Sequence, residues 1–280
     1  SGLLRSSGVV SFFTMMSRAM GLARDVIFAR VIGADAFADV FFVAFKIPNF
    51  FRRLFAEGAF AQAFVPILGE YREKGSQAAV KALVDRVAGT LGITLLGLTF
   101  FIVVASPVMA AIFAPKWFFD DPQKFTATAD MLRITFPYLL FISMTGLAGG
   151  ILNSYDRFAV PAVTPLLLNI TLIAAALIAA PLFDEPAFAL AWGVLAAGIV
   201  QFIFQLPFLQ RIHMLPAPVI DWQHPGVRKI LKLMGPAIFG VSVSQINLLL
   251  DTMLATFLPT GSVSWLYYSD RLAELPLGVF

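Results

Sequence analysis

The feature that most constrains this chain is a series of long apolar runs. A spanning α-helix needs about 20 mostly apolar residues. Eight segments approach that pattern, at roughly 8–32, 37–51, 83–113, 131–153, 161–183, 187–209, 230–258 and from about 263 onward. Only 13% of the 280 residues are charged and 59% are hydrophobic, whereas an ordinary soluble domain carries about 25% charge. The expected fold class is therefore an all-α polytopic membrane protein. The second segment is short for a span, and Arg52-Arg53 reads as its end. The amphipathic stretch that follows, LFAEGAFAQAFVPILGEY at residues 54–71, is expected to lie at the membrane interface. Ser106-Pro107 is expected to break the third segment.

Loop charges test this assignment. With the amino terminus in the cytoplasm, twelve Lys and Arg residues fall in inside loops and only Lys116 and Lys124 outside. The inside set includes Arg5, Arg52, Arg53, Arg72, Arg86, Arg157 and Arg211, while Asp35, Asp120, Asp121, Asp184 and Glu185 lie outside. Basic residues concentrate on the cytoplasmic side of membrane proteins, so the split supports both the orientation and the number of spans.

Six basic residues remain within or at the ends of spans: Arg18, Arg24, Arg30, Lys46, Arg133 and Arg271. Arg30 and Arg133 lie near span ends, where snorkelling is a sufficient explanation. Arg18 and Arg24 are mid-segment, and intramembrane charges generally face a bundle interior or a hydrated cavity. Six residues apart, they differ by about 120° around a helix, so both fit one broad cavity but not one narrow seam. The intramembrane acids Asp25, Asp39, Asp251, Asp270 and Glu274 are expected to compensate these charges locally. Arginine forks suit phosphate and diphosphate recognition. A cationic cavity between apolar helices therefore matches an anionic amphiphile.

Other chemistry is poorly represented. There is no cysteine, and the two histidines, His213 and His224, share one polar stretch. No nucleophile elbow, zinc-protease helix motif or phosphate-binding loop is present, so no catalytic residue, metal or cofactor is expected. The prolines at 48, 66, 107, 137, 161, 165, 207, 236 and 276 fall within or at the ends of apolar segments, as in helices that bend. The runs GLAGG at 146–150 and LAAG at 195–198 favour close helix packing. Residues 29–50 and 255–278 share a helix, glycine turn and aromatic-rich helix pattern, which suggests a second repeat starting near residue 230. Internal repeats are usual in transporters. The expected division is a first lobe at 1–222 with about six spans, then the start of a second lobe at 223–280. The second repeat stops after two helices, which implies a fragment or a half whose counterpart is another chain.

Three stretches resemble one family. SRAMGLARDVIFARVIGADAFADVFFVAFKIPNFFRRLFAEGAFAQAFVPILGEY at residues 17–71 is similar to the amino-terminal signature of the MurJ/MviN lipid II flippases. RITFPYLLFISMTGLAGGILNSYDRFAVPAVTPLLLNI at 133–170 and the stretch 234–280 extend the likeness along essentially the whole chain. The resemblance implies a two-lobed exporter fold of fourteen spans, of which about the first eight are here. It implies transport of undecaprenyl-diphosphate-linked disaccharide pentapeptide across the bacterial inner membrane by alternating access. It implies that Arg18, Arg24, Arg52 and Arg271 hold the diphosphate, with Asp39 as the acidic cavity residue. The implied partners are this lipid II, membrane lipids and a second chain carrying the remaining helices, with no nucleic acid. Alternatives are an exporter of another anionic lipid-linked oligosaccharide or drug-like solute, a non-transporting membrane scaffold, or a membrane-embedded transferase.

Overall fold

A computed structural model describes the backbone of residues 2–279 and the side chains of residues 7–274. Arg5 and Pro276, both used in the sequence reading, have side chains outside that set. Among the described residues the fold is helical throughout. The α-helices are α1 (Gly2–Val31), α2 (Ala36–Phe51), α3 (Ala61–Lys74), α4 (Gln77–Val104), α5 (Ser106–Phe113), α6 (Pro115–Asp120), α7 (Pro122–Thr135), α8 (Tyr138–Ser154), α9 (Ala159–Ala174), α10 (Pro186–Arg211), α11 (Pro225–Ala255) and α12 (Ser262–Val279). They make eight long rods, because α2 runs into α3, α7 turns into α8, and α4 leads into the short α5. Each rod overlaps one of the eight apolar segments. Five are long and apolar enough to cross a membrane by length and composition: α4, α7–α8, α9 with its extension to Leu182, α10 and α11.

The rods alternate in direction. The end carrying the α1–α2 and α11–α12 turns is called the upper end here. The end carrying the 75–76, 155–158 and 212–224 connections is the lower end. Local sequence sets the boundaries. Asp35 caps α2 by accepting from the Ala38 N–H at 2.7 Å, and Ser76 caps α4 by accepting from Ala79. These caps satisfy N–H groups that a helix start leaves without intrahelical acceptors. The expected break at Ser106-Pro107 is present, with α4 ending at Val104 and α5 beginning at Ser106.

One expectation is corrected. The second rod does not end at Arg52-Arg53, and residues 54–71 are not a separate interfacial piece. A π-helical segment, Arg52–Phe60, joins α2 to α3 without interruption. No strong helix breaker stands between Phe51 and Ala61, so the chain continues and the change of register is absorbed as wider turns. At about 1.5 Å per residue, Arg52 lies roughly 24 Å below the start of α2, within the depth of a hydrocarbon core about 30 Å thick. Arg52 and Arg53 thus lie midway along a continuous rod and not in a loop. With Lys124 also buried, against Asp39, the loop count becomes ten basic residues against one.

Lipid tails are as apolar as leucine, so the rods are held by close packing rather than by hydrophobic exclusion. A Cβ on Gly193 would fall 2.6 Å from the Ala175 Cβ, and one on Gly198 would fall 2.7 Å from the Tyr138 ring. Both contacts join α10 to its neighbours, and Gly198 belongs to the LAAG run expected to pack closely. The 212–224 connection is extended and lies along α4. It is pinned by hydrogen bonds from the Val219 N–H to the Asp85 carbonyl and from the Asp221 N–H to Thr90 Oγ1. Arg86 pairs with Asp221 at 3.0 Å.

Candidate functional site

Five rods, α1, α2 with the π segment, α9, α11 and α12, line a cavity of about 150 Å³. One water needs roughly 10–15 Å³ on this measure, so the space holds on the order of ten waters. Its wall carries five cationic side chains, Arg24, Lys46, Arg52, Arg53 and Arg271, against two acidic ones, Asp270 and Glu274.

Arg24 is the most ordered of these. It is 2% exposed and uses four of its five N–H donors. Nε and Nη2 donate to Asp25 Oδ1 at 3.0 and 2.8 Å, Nη1 donates to Asn169 Oδ1 at 3.0 Å, and Nη2 also reaches the Tyr267 hydroxyl at 3.2 Å. Adjacent residues on a helix do not face each other, so the guanidinium curls back to meet Asp25. Tyr267 donates its own proton to Asp25 Oδ1 at 3.0 Å and stacks on Phe42 with ring centres 4.1 Å apart. Arg271 closes the arrangement, with Nε 3.3 Å from Asp25 Oδ2. Asn169 also donates to the Ser17 carbonyl at 3.0 Å, which locks α9 to α1 beside Arg24. One carboxylate thus serves two arginines and a tyrosine.

The opposite wall is less compensated. Lys46 donates to Thr252 Oγ1 at 2.8 Å and lies 4.0 Å from Asp270. Arg52 donates from Nε to Asn49 at 3.2 Å and pairs with Glu57. Arg53 reaches the same cavity with no acid within salt-bridge distance among the described residues. Lys46, Asn49 and Arg53 are spaced i, i+3, i+7 and so share one helix face. Sequence reading singled out neither Lys46 nor Arg53 as a site residue, although this spacing was legible. Asn169 and Tyr267 were also missed.

Arg24, Arg52 and Arg271 are brought together as expected. Arg18 is not: it is exposed and lies outside the cavity wall. Asp39 is not a cavity residue either. It is 1% exposed near the upper end, where the α12 N-terminus meets α2. Its Oδ2 accepts from the Gly261 N–H at 2.7 Å, and its Oδ1 accepts from Ser264 N–H at 3.0 Å and Ser264 Oγ at 2.7 Å. Lys124 stands 3.5 Å away and is itself buried. A carboxylate on the first-turn N–H groups of a helix is favoured by the helix dipole and by the unfilled donors there. Gly261 is required at this point, because its φ is +97° and a Cβ would approach the Ala34 carbonyl to 2.9 Å. Lys124 was placed in an outside loop by sequence reading and is instead the counter-ion of Asp39.

The π segment supports the cavity from behind. Gly58 has no room for a Cβ, which would fall 2.6 Å from the Arg53 carbonyl and 3.0 Å from both Val241 methyls of α11. The wider turns and the close crossing of α11 therefore both depend on that glycine. Such π turns occur often at functional sites.

Comparison with known proteins agrees with this geometry. The sequence profile of a family described as "Lipid II flippase MurJ" matches residues 28–280. A "Probable lipid II flippase MurJ" of Haemophilus influenzae is 52% identical over 273 residues, covering 95% of this chain and 54% of the relative. One of Vibrio cholerae is 51% identical over 284 residues, covering 99% and 54%. A "Lipid II flippase MurJ" of Burkholderia cenocepacia is 46% identical over 279 residues, covering 98% and 54%. A solved structure titled "Lipid II flippase MurJ, inward closed conformation" superposes with a TM-score of 0.80 at 28% identity, covering 97% of this chain and 55% of its own. This chain spans about half the length of the curated relatives it matches. It is a multi-pass membrane protein and belongs to the lipid II flippase MurJ family.

Proposed function

We propose that this chain supplies the first lobe, residues 1–222, and the opening of the second lobe, residues 223–280, of a flippase. The flippase moves lipid II across the bacterial inner membrane, with the amino terminus in the cytoplasm. The observation that carries the reading is the cationic lining of the cavity: five cations reach it between apolar helices, and with their partners Asp25 and Glu57 counted beside Asp270 and Glu274 four acids answer them. Charged groups in a membrane interior are costly, and a diphosphate offers the missing compensation through charge-assisted hydrogen bonds. The cavity holds a headgroup fragment, while the apolar remainder of such a substrate stays among the helices and lipid.

In this reading the chain transports and does not catalyse. Arg24 and Arg271, tied together through Asp25, form a fixed side of the clamp. Arg52, Arg53 and Lys46 form a side that the π segment and α11 can carry along. The Asp39 cap holds the α12 N-terminus against α2 and keeps the upper end shut while the cavity is loaded from below. Release upward requires that cap to open. A second chain, or a continuation of this one, completes the other wall.

The test uses the full-length protein. Arg24→Ala should express and insert normally yet fail to sustain growth of cells that depend on it. Its purified form should lose bound lipid-linked diphosphate by native mass spectrometry. Normal growth of those cells would end the clamp reading.

A further inference from the structure

A second cavity, of about 310 Å³, lies on the far side of the π segment from the cationic one, between that segment, α4, α8 and α11. Its wall is nearly all hydrocarbon, with Phe55, Phe60, Leu91, Leu95, Leu98 and Met234 supplying much of it. None of its lining residues is charged. Thr90 and Thr94 also line it but their hydroxyls are engaged, Thr90 with the Asp221 N–H and Thr94 with the Thr90 carbonyl. Of the hydroxyls that line it, that of Ser143, 2% exposed, has no hydrogen-bond partner among the described residues. An apolar cavity of roughly half this volume stays dry and takes up a hydrocarbon guest, so water is a poor occupant.

Three observations identify the guest. The cavity follows α4 from Val87 to Leu98, about 16 Å at 1.5 Å per residue, which is close to one leaflet of a hydrocarbon core about 30 Å thick. Leu231 of α11, which lines it, is itself 43% exposed, so the wall on that side reaches the surface a lipid-facing helix presents. At its lower end Arg228 and Lys232 of α11 are exposed and have no acid within 4.0 Å among the described residues, which places cations at headgroup level. We propose that this cavity is a binding site for one acyl chain of a bilayer phospholipid, taken from the leaflet at the lower end.

The chain would be more than a filler. Phe55 and Phe60 belong to the segment that carries Arg52 and Arg53, and α11 lines both cavities. A chain wedged between α4 and α11 holds the π segment toward the cationic cavity. The substrate's own tail is a poorer occupant, because the π segment separates this cavity from the arginines that would hold its headgroup.

The experiment reconstitutes the full-length protein in phosphatidylethanolamine–phosphatidylglycerol vesicles. A trace of the phosphatidylethanolamine carries a diazirine midway along one acyl chain. After photolysis, adducts should concentrate on Leu91, Leu95, Leu98 and Met234 rather than on the lipid-facing Phe100 and Phe101. Filling the cavity with Thr94→Phe or Ser143→Leu should lower those adducts roughly tenfold, the factor that losing burial of about two methylenes brings. Arg24→Ala should leave them unchanged. Adducts spread evenly over the exposed helix faces would overturn the proposal. So would their displacement by added lipid-linked diphosphate, which would assign the cavity to the substrate tail, or a cavity covered by a later segment of the same protein.

Discussion

Two clusters of buried charge sit on the same pair of helices, α2 and α12, and they are built to opposite rules. Near the upper end Asp39 meets two backbone N–H groups, a hydroxyl and a lysine, and nothing is left over. Seven residues further along each helix, about 10 Å, Lys46 and Arg271 face a cavity in which cations outnumber acids. A buried charge must be paired or it must change its state. The first cluster is complete within the chain and behaves as a fastening. The second leaves Arg53 without a carboxylate within 4.0 Å among the described residues, and the proposed diphosphate would supply the partner. Full satisfaction marks structure, and a deliberate shortfall marks a site.

The largest effect should come from breaking the fastening. Asp39→Ala strands the buried Lys124 and removes the cap of α12, and losing one member of a buried pair costs about 3–5 kcal/mol. The upper end should then open in most molecules. With no cysteine in the sequence, a Val263→Cys reporter in the full-length protein, at a side chain beside the cap that is 1% exposed, gives the readout. Labelling by a membrane-impermeant thiol reagent should rise at least about tenfold, with Asp39→Asn intermediate because its amide oxygen still accepts one hydrogen bond. Unchanged labelling in both variants would mean that the cap holds nothing shut.

Next in size is a contrast within the cationic set. Arg53 faces the cavity and Arg18 does not, although the family resemblance favoured Arg18. A hydrogen bond to a charged group contributes about 1.5–3 kcal/mol, so Arg53→Ala should weaken binding of a lipid-linked diphosphate by roughly 10- to 100-fold, and Arg18→Ala should have far less effect. The reverse order, measured by titration in nanodiscs, would place the binding geometry elsewhere along α1.

Gly58→Ala tests the scaffold behind the site. Its methyl meets the Arg53 carbonyl and Val241 at once, and overpacking of this kind costs about 1–3 kcal/mol. The thermal midpoint should fall, and Val241→Ala should restore part of the loss by clearing one of the two clashes. A Gly58→Ala protein as stable as the parent would show that α11 does not cross there.

The fold was largely legible because apolar runs of span length need no tertiary information. Eight were read and eight rods formed. The errors came where charge was taken as a sign of the membrane edge. Arg52-Arg53 and Lys124 were assigned to loops, yet two line a cavity and one is buried against Asp39, because a carboxylate or a hydrated space can substitute for the interface. The Lys46, Asn49, Arg53 spacing could have been recognised from helical periodicity alone. Asp39 could not, since its role depends on α12 arriving more than two hundred residues later with Gly261 and Ser264 in place. Asn169 likewise acquires meaning only when α9 packs on α1.

The smallest effect separates both buried clusters from an ordinary solvated pair. Glu70, near the end of α3, lies about 50 Å along its rod and outside the hydrocarbon span, where it meets Lys229 of α11. The hydrogen bond from Lys229, aided by its charge, holds the Glu70 carboxyl below its ordinary value of 4.5. A depressed carboxylate pKa means that the pair's contribution is complete above the unfolded value and fades as pH falls through the folded one. Between pH 8 and about 5, then, this contact should leave the thermal midpoint unchanged, and below about 4.5 Glu70→Gln should narrow the acid-induced decline. Salt should weaken this pair, because exposed charges are screened, while leaving the Asp39 cap intact. If 0.5 M salt opened the upper end as readily as it weakened Glu70–Lys229, the cap would be reached by solvent, and the distinction between the two buried clusters would fail.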